Sequence, residues 1–349
     1  MDECLIGAFG IALAVFLRWA FKTLPGEGWQ ILASLPVVKT GPATWQGLNV
    51  TYYGLLIAFA VVVANAVMLV LMGALHVPLW PILVLQLMIL LVCLPCARLI
   101  AQLVENKQHT LSIGGTAFLG IVVAPLLVWV TNEVLSSHAG VGLPLIPTLA
   151  AMSIAYAFGE GLGRVACISF GCCYGKPVNS TEPWAQKLFN SYHFVFYGKT
   201  KKVSYEGDME GNKVIPVQAL TSVCLVTVGL ISMLAYLKGY YATALGTSLL
   251  ITQSWRAFSE TLRADWRGGG RISAYQVMAM VSVVCVVLFL LAIPADPAPR
   301  AELRHGMLFL WDPAVFLVLA GVGFAVFVYT GRSTVTSAQL TFHVVREKI

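Results

Sequence analysis

Runs of about 20 apolar residues, each long enough to cross a hydrocarbon layer of about 30 Å, recur along this 349-residue chain with short gaps between them. They fall near 54–74, 79–97, 113–131, 146–163, 217–236, 241–259, 272–293 and 309–330. The predicted fold class is therefore all-α: a polytopic transmembrane helical bundle of about eight spans with one larger surface loop. A composition of 58% hydrophobic and 11% charged residues agrees, because the gaps leave no room for a separate water-soluble core. A ninth apolar stretch, from Leu5 to Phe16, is shorter than a span. It follows Asp2 and Glu3 rather than the basic residues that open a signal peptide, and it is expected to lie in the interface or to cross.

The formal net charge of +6 is spread over loops and is not clustered with aromatics. That distribution suits anionic lipid headgroups and excludes nucleic acid as a partner. The solvent-sized connection runs from Lys176 to Ile215, where lysines, acids and glycines gather around Tyr192, Phe194, Phe196 and Tyr197. It reads either as an ordered cap on the membrane surface or as a spacer with interfacial anchors.

Against this apolar background the charges inside the runs stand out. The stretch 163–177 has the pattern Gly-Arg-x-x-Cys-x-x-x-Gly-Cys-Cys-Tyr-Gly-x-Pro, which puts Arg164 and three thiols at the end of a run. An arginine near hydrocarbon costs about 2.5–3.5 kcal/mol on insertion scales, so it meets an anion or a carboxylate there. Lipid phosphate is the obvious anion, and Glu160, four residues earlier, is the carboxylate on the same helical face. Arg256, Glu260 and Arg263 follow one another at i, i+4 and i+7, which aligns them on one helical stripe. Two cations bracketing one carboxylate suit a phosphodiester, with Glu260 orienting one of the arginines. An ion-pair ladder with snorkelling arginines is the structural alternative.

Eight cysteines raise metal and disulfide readings. Cys93, Cys96, Cys224 and Cys285 read as packing residues, since buried free cysteine behaves as a small apolar side chain. Structural zinc needs four convergent ligands, and no histidine stands at the usual spacing from either Cys93 and Cys96 or Cys172 and Cys173. No metal and no cofactor is expected. Cys167, Cys172 and Cys173 flank the arginine and several glycines, where a thiol can be a ligand, a nucleophile or one of a redox pair.

Further pieces recur in series: Tyr52, Tyr53 and Gly54 open the first long run, Arg98 closes the next, Ser112, Ile113, Gly114 and Gly115 open the third, and Pro216, Val217 and Gln218 open the fifth. Glycines at the start of a span permit close helix approach. Taken in order, these blocks resemble the bacterial prolipoprotein diacylglyceryl transferase family over about residues 50–293. The carriers are the Tyr-Gly pair, the glycine-rich entry to the third span, a cysteine-bearing form of the Gly-Arg signature, the segment from Pro216 to Leu220, the Arg-x-x-x-Glu of Arg256 to Glu260, and the Ser-x-x-Gln of Ser273 to Gln276.

The resemblance implies transfer of a diacylglyceryl unit from phosphatidylglycerol to the lipobox cysteine thiol of a preprolipoprotein, with release of glycerol phosphate, in the bacterial cytoplasmic (inner) membrane. It implies catalytic roles for Arg164, Arg256, Glu260 and Tyr53, with Glu260 orienting Arg256. It implies a substrate-binding set of Arg98, Gly114, Gly115, Gly163, Cys167, Gly171, Cys172, Gly175, Gln218 and Arg263. It also places the 176–215 loop outside the cytoplasm. The chain departs from the family pattern at two places. The position of the family's histidine ahead of the third-span glycines reads Ile113, with His109 further upstream, and the Gly-Arg signature carries Cys167 and Cys172 in place of an asparagine and an acid. A catalytically silent lipid-binding or assembly protein of the same fold is the alternative reading, ahead of a transporter, for which paired half-chain symmetry is missing. Residues 1–50 form an N-terminal extension and 294–349 an additional transmembrane segment and tail on this division.

Overall fold

The computed structural model describes residues 2–105, 113–139, 142–266, 272–293, 299–333 and 341–343. Eight helices among them are long and apolar enough to cross a membrane: α1 (Asp2–Thr23), α2 (Tyr52–Gly73), α3 (Leu79–Glu105), α4 (Ile113–Ala139), α5 (Leu145–Phe170), α8 (Val217–Leu237), α10 (Ala274–Ala292) and α12 (Pro313–Gly331). Two short helices, α6 (Pro183–Phe189) and α7 (Lys202–Tyr205), lie between α5 and α8, while α9 (Tyr241–Ser259) and α11 (Leu303–Phe309) complete the twelve. The count of eight agrees with the sequence, but its membership differs at two places. The leading apolar stretch extends to a 22-residue helix, α1, and α9 is too polar to qualify by composition. The reason is packing: α9 lies against α5, α8 and α10, and turns Ser248, Thr252, Gln253 and Arg256 into the interior.

The most enclosed helix is α5, packed by α2, α8 and α9, with α1 touching it and α8 from outside. On the other side α3 pairs with α4, α4 reaches α10, and α12 lies along α2. Leu149, Ile154, Phe158 and Val165 of α5 sit in the apolar core with Leu69 and Met72 of α2 and Val226 of α8.

The stretch between α1 and α2 folds as an antiparallel hairpin, β1 (Ile31–Lys39) and β2 (Thr44–Thr51), a feature absent from the sequence reading. Residues of β1 are exposed on both faces, so the alternation of apolar and polar residues that marks a half-buried strand is missing. Two short strands after α12, β5 (Arg332–Ser333) and β6 (Thr341–His343), pair with β2.

The 176–215 connection is an ordered cap. Its strands β3 (Phe194–Val195) and β4 (Lys213–Val214) pair antiparallel, Phe196 and Val203 are fully buried, and Trp184, Tyr192 and Tyr197 remain exposed. Lys201 fastens it: the fully buried ammonium donates to the carbonyls of Leu24 (3.1 Å) and Ser169 (2.6 Å), joining the ends of α1 and α5. Burial pushes the Lys201 amine down to about 8 from 10.5. The folded chain then binds fewer protons than the unfolded chain between those two values, so stability rises with pH across the window, and the burial cost is fully present below it. Thermal unfolding from about pH 7 to about pH 10 should show wild type gaining on Lys201→Met as pH rises. A constant difference between the two proteins rejects the account.

Candidate functional site

Helical spacing puts Tyr156, Glu160 and Arg164 one above the other on the inner face of α5. The Tyr156 hydroxyl donates to Glu160 Oε2, and Arg164 Nη2 donates to Glu160 Oε1. From α9, Arg256 Nη1 donates to both carboxylate oxygens at 2.8 Å and to the Tyr156 hydroxyl at 3.2 Å, while Gln253 Nε2 reaches that hydroxyl at 3.1 Å. One buried carboxylate thus holds two guanidinium groups from two helices. Within this trio one unit of positive charge stays unbalanced, and Arg256 Nε is buried with no hydrogen-bond partner among the described residues.

The trio forms part of the wall of a cavity of about 1110 Å³ whose lining is mostly apolar. Tyr53 at the start of α2, Gly114 at the start of α4, and Gly163, Arg164 and Cys167 of α5 line it with Arg256. The cavity is not sealed: Leu90 and Leu94 of α3, Val122 of α4 and Tyr329 of α12 line it and are exposed. Gly114 is required by close approach, because a Cβ there would lie 2.6 Å from the Tyr275 ring and 3.0 Å from Arg256 Nη2.

A second ion group stands beside the first. Arg263 forms a two-pronged pair with Asp265 (Nε–Oδ1 2.8 Å, Nη2–Oδ2 2.6 Å) and donates to Glu260 Oε1 at 3.3 Å. Glu260 was expected to orient Arg256 from the same helical stripe. Instead α9 ends at Ser259 with the Glu260 amide still bonded to the Arg256 carbonyl, and a single 3₁₀ turn over Glu260–Leu262 brings Arg263 to the Glu260 carboxylate. The hydrogen-bonding carboxylate of Arg256 is Glu160, and Glu260 serves Arg263. The Ser-x-x-Gln block has a mechanical role: Ser273 and Gln276 form a capping box at the start of α10, and Gln276 Nε2 bonds the Ala257 carbonyl of α9 at 3.0 Å.

The thiols meet at the end of α5. Gly171, at φ 75°, stops the helix in the left-handed conformation, and the Cys172 amide turns back to the Cys167 carbonyl at 3.1 Å. Cys173 also has a positive φ, 57°. This double reversal brings the sulfurs of Cys167, Cys172 and Cys173 within 4.8 Å of one another, on the wall of the same cavity. Gln218 Nε2 holds the turn through the Cys172 carbonyl at 2.9 Å, and Gly175 packs against the Ile215 backbone. Hydrogen bonds from the Cys167 and Cys172 thiols, followed by the charges of Arg263 and Arg164, pull the Cys173 thiol well below the usual range.

The structure therefore gathers Tyr53, Gly114, Gly163, Arg164, Cys167, Cys172, Arg256 and Arg263 around one cavity. Gly171, Gly175 and Gln218 shape the cysteine turn behind the wall. Gly115 packs on Ile100, and Arg98 is exposed on α3 away from the lining. Ser112 and His109 lie outside the described residues. Cys93 and Cys285 line the apolar part of the cavity. The sequence reading missed Tyr156, Gln253 and Asp265. Tyr156 was within reach, four residues before Glu160 on the same stripe, whereas Asp265 follows a helix end where no periodicity operates.

A multi-pass bundle with a cationic clamp on an open apolar cavity defines a lipid-handling membrane protein. The family model for prolipoprotein diacylglyceryl transferase matches residues 42–293, most of the chain, and the chain belongs to that family. The match takes in β2 and everything through α10. No curated protein and no solved structure matches the chain. Membership makes it a membrane transferase of the diacylglyceryl transferase kind.

The shared carboxylate gives a direct test. Glu160→Ala leaves two buried guanidiniums without their counter-charge, and uncompensated buried charges cost about 3–5 kcal/mol. Unfolding in detergent should show a loss of that size. A loss below about 1 kcal/mol would reject the clamp.

Proposed function

We propose that the protein transfers a diacylglyceryl unit from phosphatidylglycerol to the lipobox cysteine thiol of a preprolipoprotein in the bacterial cytoplasmic membrane. The observation that carries the reading is the Arg164–Glu160–Arg256 trio, with surplus positive charge and an unpartnered Arg256 Nε, on the wall of an apolar cavity that is open to the exterior. A two-chain lipid enters from the bilayer plane, and its acyl chains match the apolar lining. The phosphate is the acceptor the surplus guanidinium donors need.

In this reading the acceptor sulfur, as thiolate, attacks the glyceryl carbon bound to the phosphate oxygen. A C–S bond forms, the C–O bond breaks, and the electron pair leaves on the phosphate of glycerol phosphate, giving a thioether. Arg164 and Arg256 stabilise the charge that grows on the leaving oxygen, and Glu160 fixes both guanidiniums before the reaction begins. Arg263, held by Glu260 and Asp265, extends the positive wall toward the headgroup. Tyr53, which lines the same cavity from the start of α2, donates a hydrogen bond to the bound lipid.

Purified in detergent with phosphatidylglycerol and a lipobox peptide, the protein should release glycerol phosphate. Arg256→Ala should cut that release on the order of 10²–10³-fold, as for other preorganised donors to a leaving oxyanion. Cys224→Ala, on α8 outside the cavity, should leave it near wild type. Lipid binding without release from phosphatidylglycerol or any other glycerophospholipid would instead establish the silent lipid-binding alternative.

A further inference from the structure

The cysteine turn asks for a ligand that the transfer reading does not use. Three sulfurs lie within 4.8 Å of one another, and among the described residues no histidine, carboxylate or fourth thiol joins the group. They sit on the cavity wall beside Arg164 and Arg263 rather than deep in the core. Holding them there requires a non-glycine residue, Cys173, at φ 57°, a conformation that costs about 1–2 kcal/mol. Gln218 braces the turn from α8. Backbone cost and a dedicated brace are out of proportion to what three small packing side chains return.

We propose that Cys167, Cys172 and Cys173 are the three protein ligands of a zinc-type divalent cation site whose fourth position opens into the cavity and receives the acceptor thiol. Zinc–sulfur bonds of about 2.3 Å in tetrahedral geometry need sulfurs about 3.8 Å apart. None of the observed separations exceeds 4.8 Å, about 1 Å above that. Thiolates alone favour soft and borderline ions over calcium or magnesium. Three protein ligands with an open position are the pattern of a reactive zinc site, whereas a structural site is closed by four. The charge also balances. Three thiolates around a divalent ion carry one net negative charge, beside the guanidiniums of Arg164 and Arg263.

The second half of the inference rests on the transferase reading. Among the described residues no histidine lines the cavity, so the acceptor thiol needs another route to its thiolate. Coordination supplies it, because a metal-bound thiol loses its proton outright. The proton passes to water, and the bound sulfur keeps a lone pair to attack the glyceryl carbon. The C–S bond forms, the C–O bond breaks, and the electron pair departs on glycerol phosphate. No oxidant or reductant takes part.

The test uses the full chain purified in detergent under inert gas and titrated with Co²⁺ as a spectroscopic stand-in for Zn²⁺. One Co²⁺ per chain with a thiolate-to-cobalt charge-transfer band is expected, reversed by Zn²⁺. The band should be lost in Cys167→Ser, Cys172→Ser and Cys173→Ser and kept in Cys224→Ser. A lipobox peptide with its cysteine should raise the band by about one third, as a fourth thiolate joins three, and a serine peptide should not. Stripping the metal should abolish glycerol phosphate release, and Zn²⁺ should restore it. A missing band, a band that survives loss of any one of the three cysteines, or a disulfide among them in the inert-gas preparation overturns the site. Unchanged release after stripping overturns its role in transfer. Release absent in every metal state, with the peptide-sensitive band intact, overturns the transferase reading and leaves the metal site standing.

Discussion

Glu160 is the side chain on which the site depends. A carboxylate and two guanidiniums taken out of water each carry a desolvation cost of several kcal/mol, returned only if geometry is good and the remaining donors and acceptors are satisfied. Both oxygens of Glu160 are in use, and Tyr156 and Gln253 complete the network around them. The arrangement ties α5 to α9 at one point of the bundle. It also sets the electrostatics of the cavity: one carboxylate for two arginines leaves the trio cationic on the cavity wall, the feature on which the proposed function rests.

The elements around the trio each hold one part of it in register. Gly114 lets the start of α4 lie against Tyr275 and Arg256, where any side chain would collide. The capping box of α10 sends Gln276 to the α9 backbone next to Arg256, so the arginine's helix is pinned at its end. The 3₁₀ turn at Glu260–Leu262 then brings Arg263 to the Glu260 carboxylate, giving the cavity a second, separately paired cation. The cap over 176–215 holds the far end: Lys201 joins the ends of α1 and α5, and the Lys176 amide bonds the Leu262 carbonyl at 2.9 Å, tying the cysteine turn to the loop that carries Arg263.

The cysteines show how a departure from a family pattern gains meaning only in three dimensions. In the sequence, Cys167 is separated from the pair at 172 and 173 by four residues, a spacing that matches no familiar metal motif. Two left-handed residues at Gly171 and Cys173 fold that interval back on itself and place all three sulfurs on one wall. The same wall carries Arg164, so the thiols and the arginine line one cavity.

Hydropathy determined the class of this protein outright, because a 20-residue apolar run in lipid has few ways to satisfy its backbone except as a helix. The i, i+4 spacing of Glu160 and Arg164 likewise made one edge of the clamp legible, since helix geometry alone brings those side chains together. Its other edge, from Arg256 to Glu160, joins residues 96 positions apart on different helices, and no local rule can choose Glu160 over the nearer Glu260. That choice was made by packing α9 against α5, while Arg263 engages Glu260 across the turn that follows α9. The hairpin at β1 and β2 was hidden because β1 is exposed on both faces and leaves no alternation to read, and the polar character of α9 became intelligible only when its neighbours were seen to cover it. Local periodicity is written in the chain, whereas partner choice between distant helices is decided by which faces the bundle buries together.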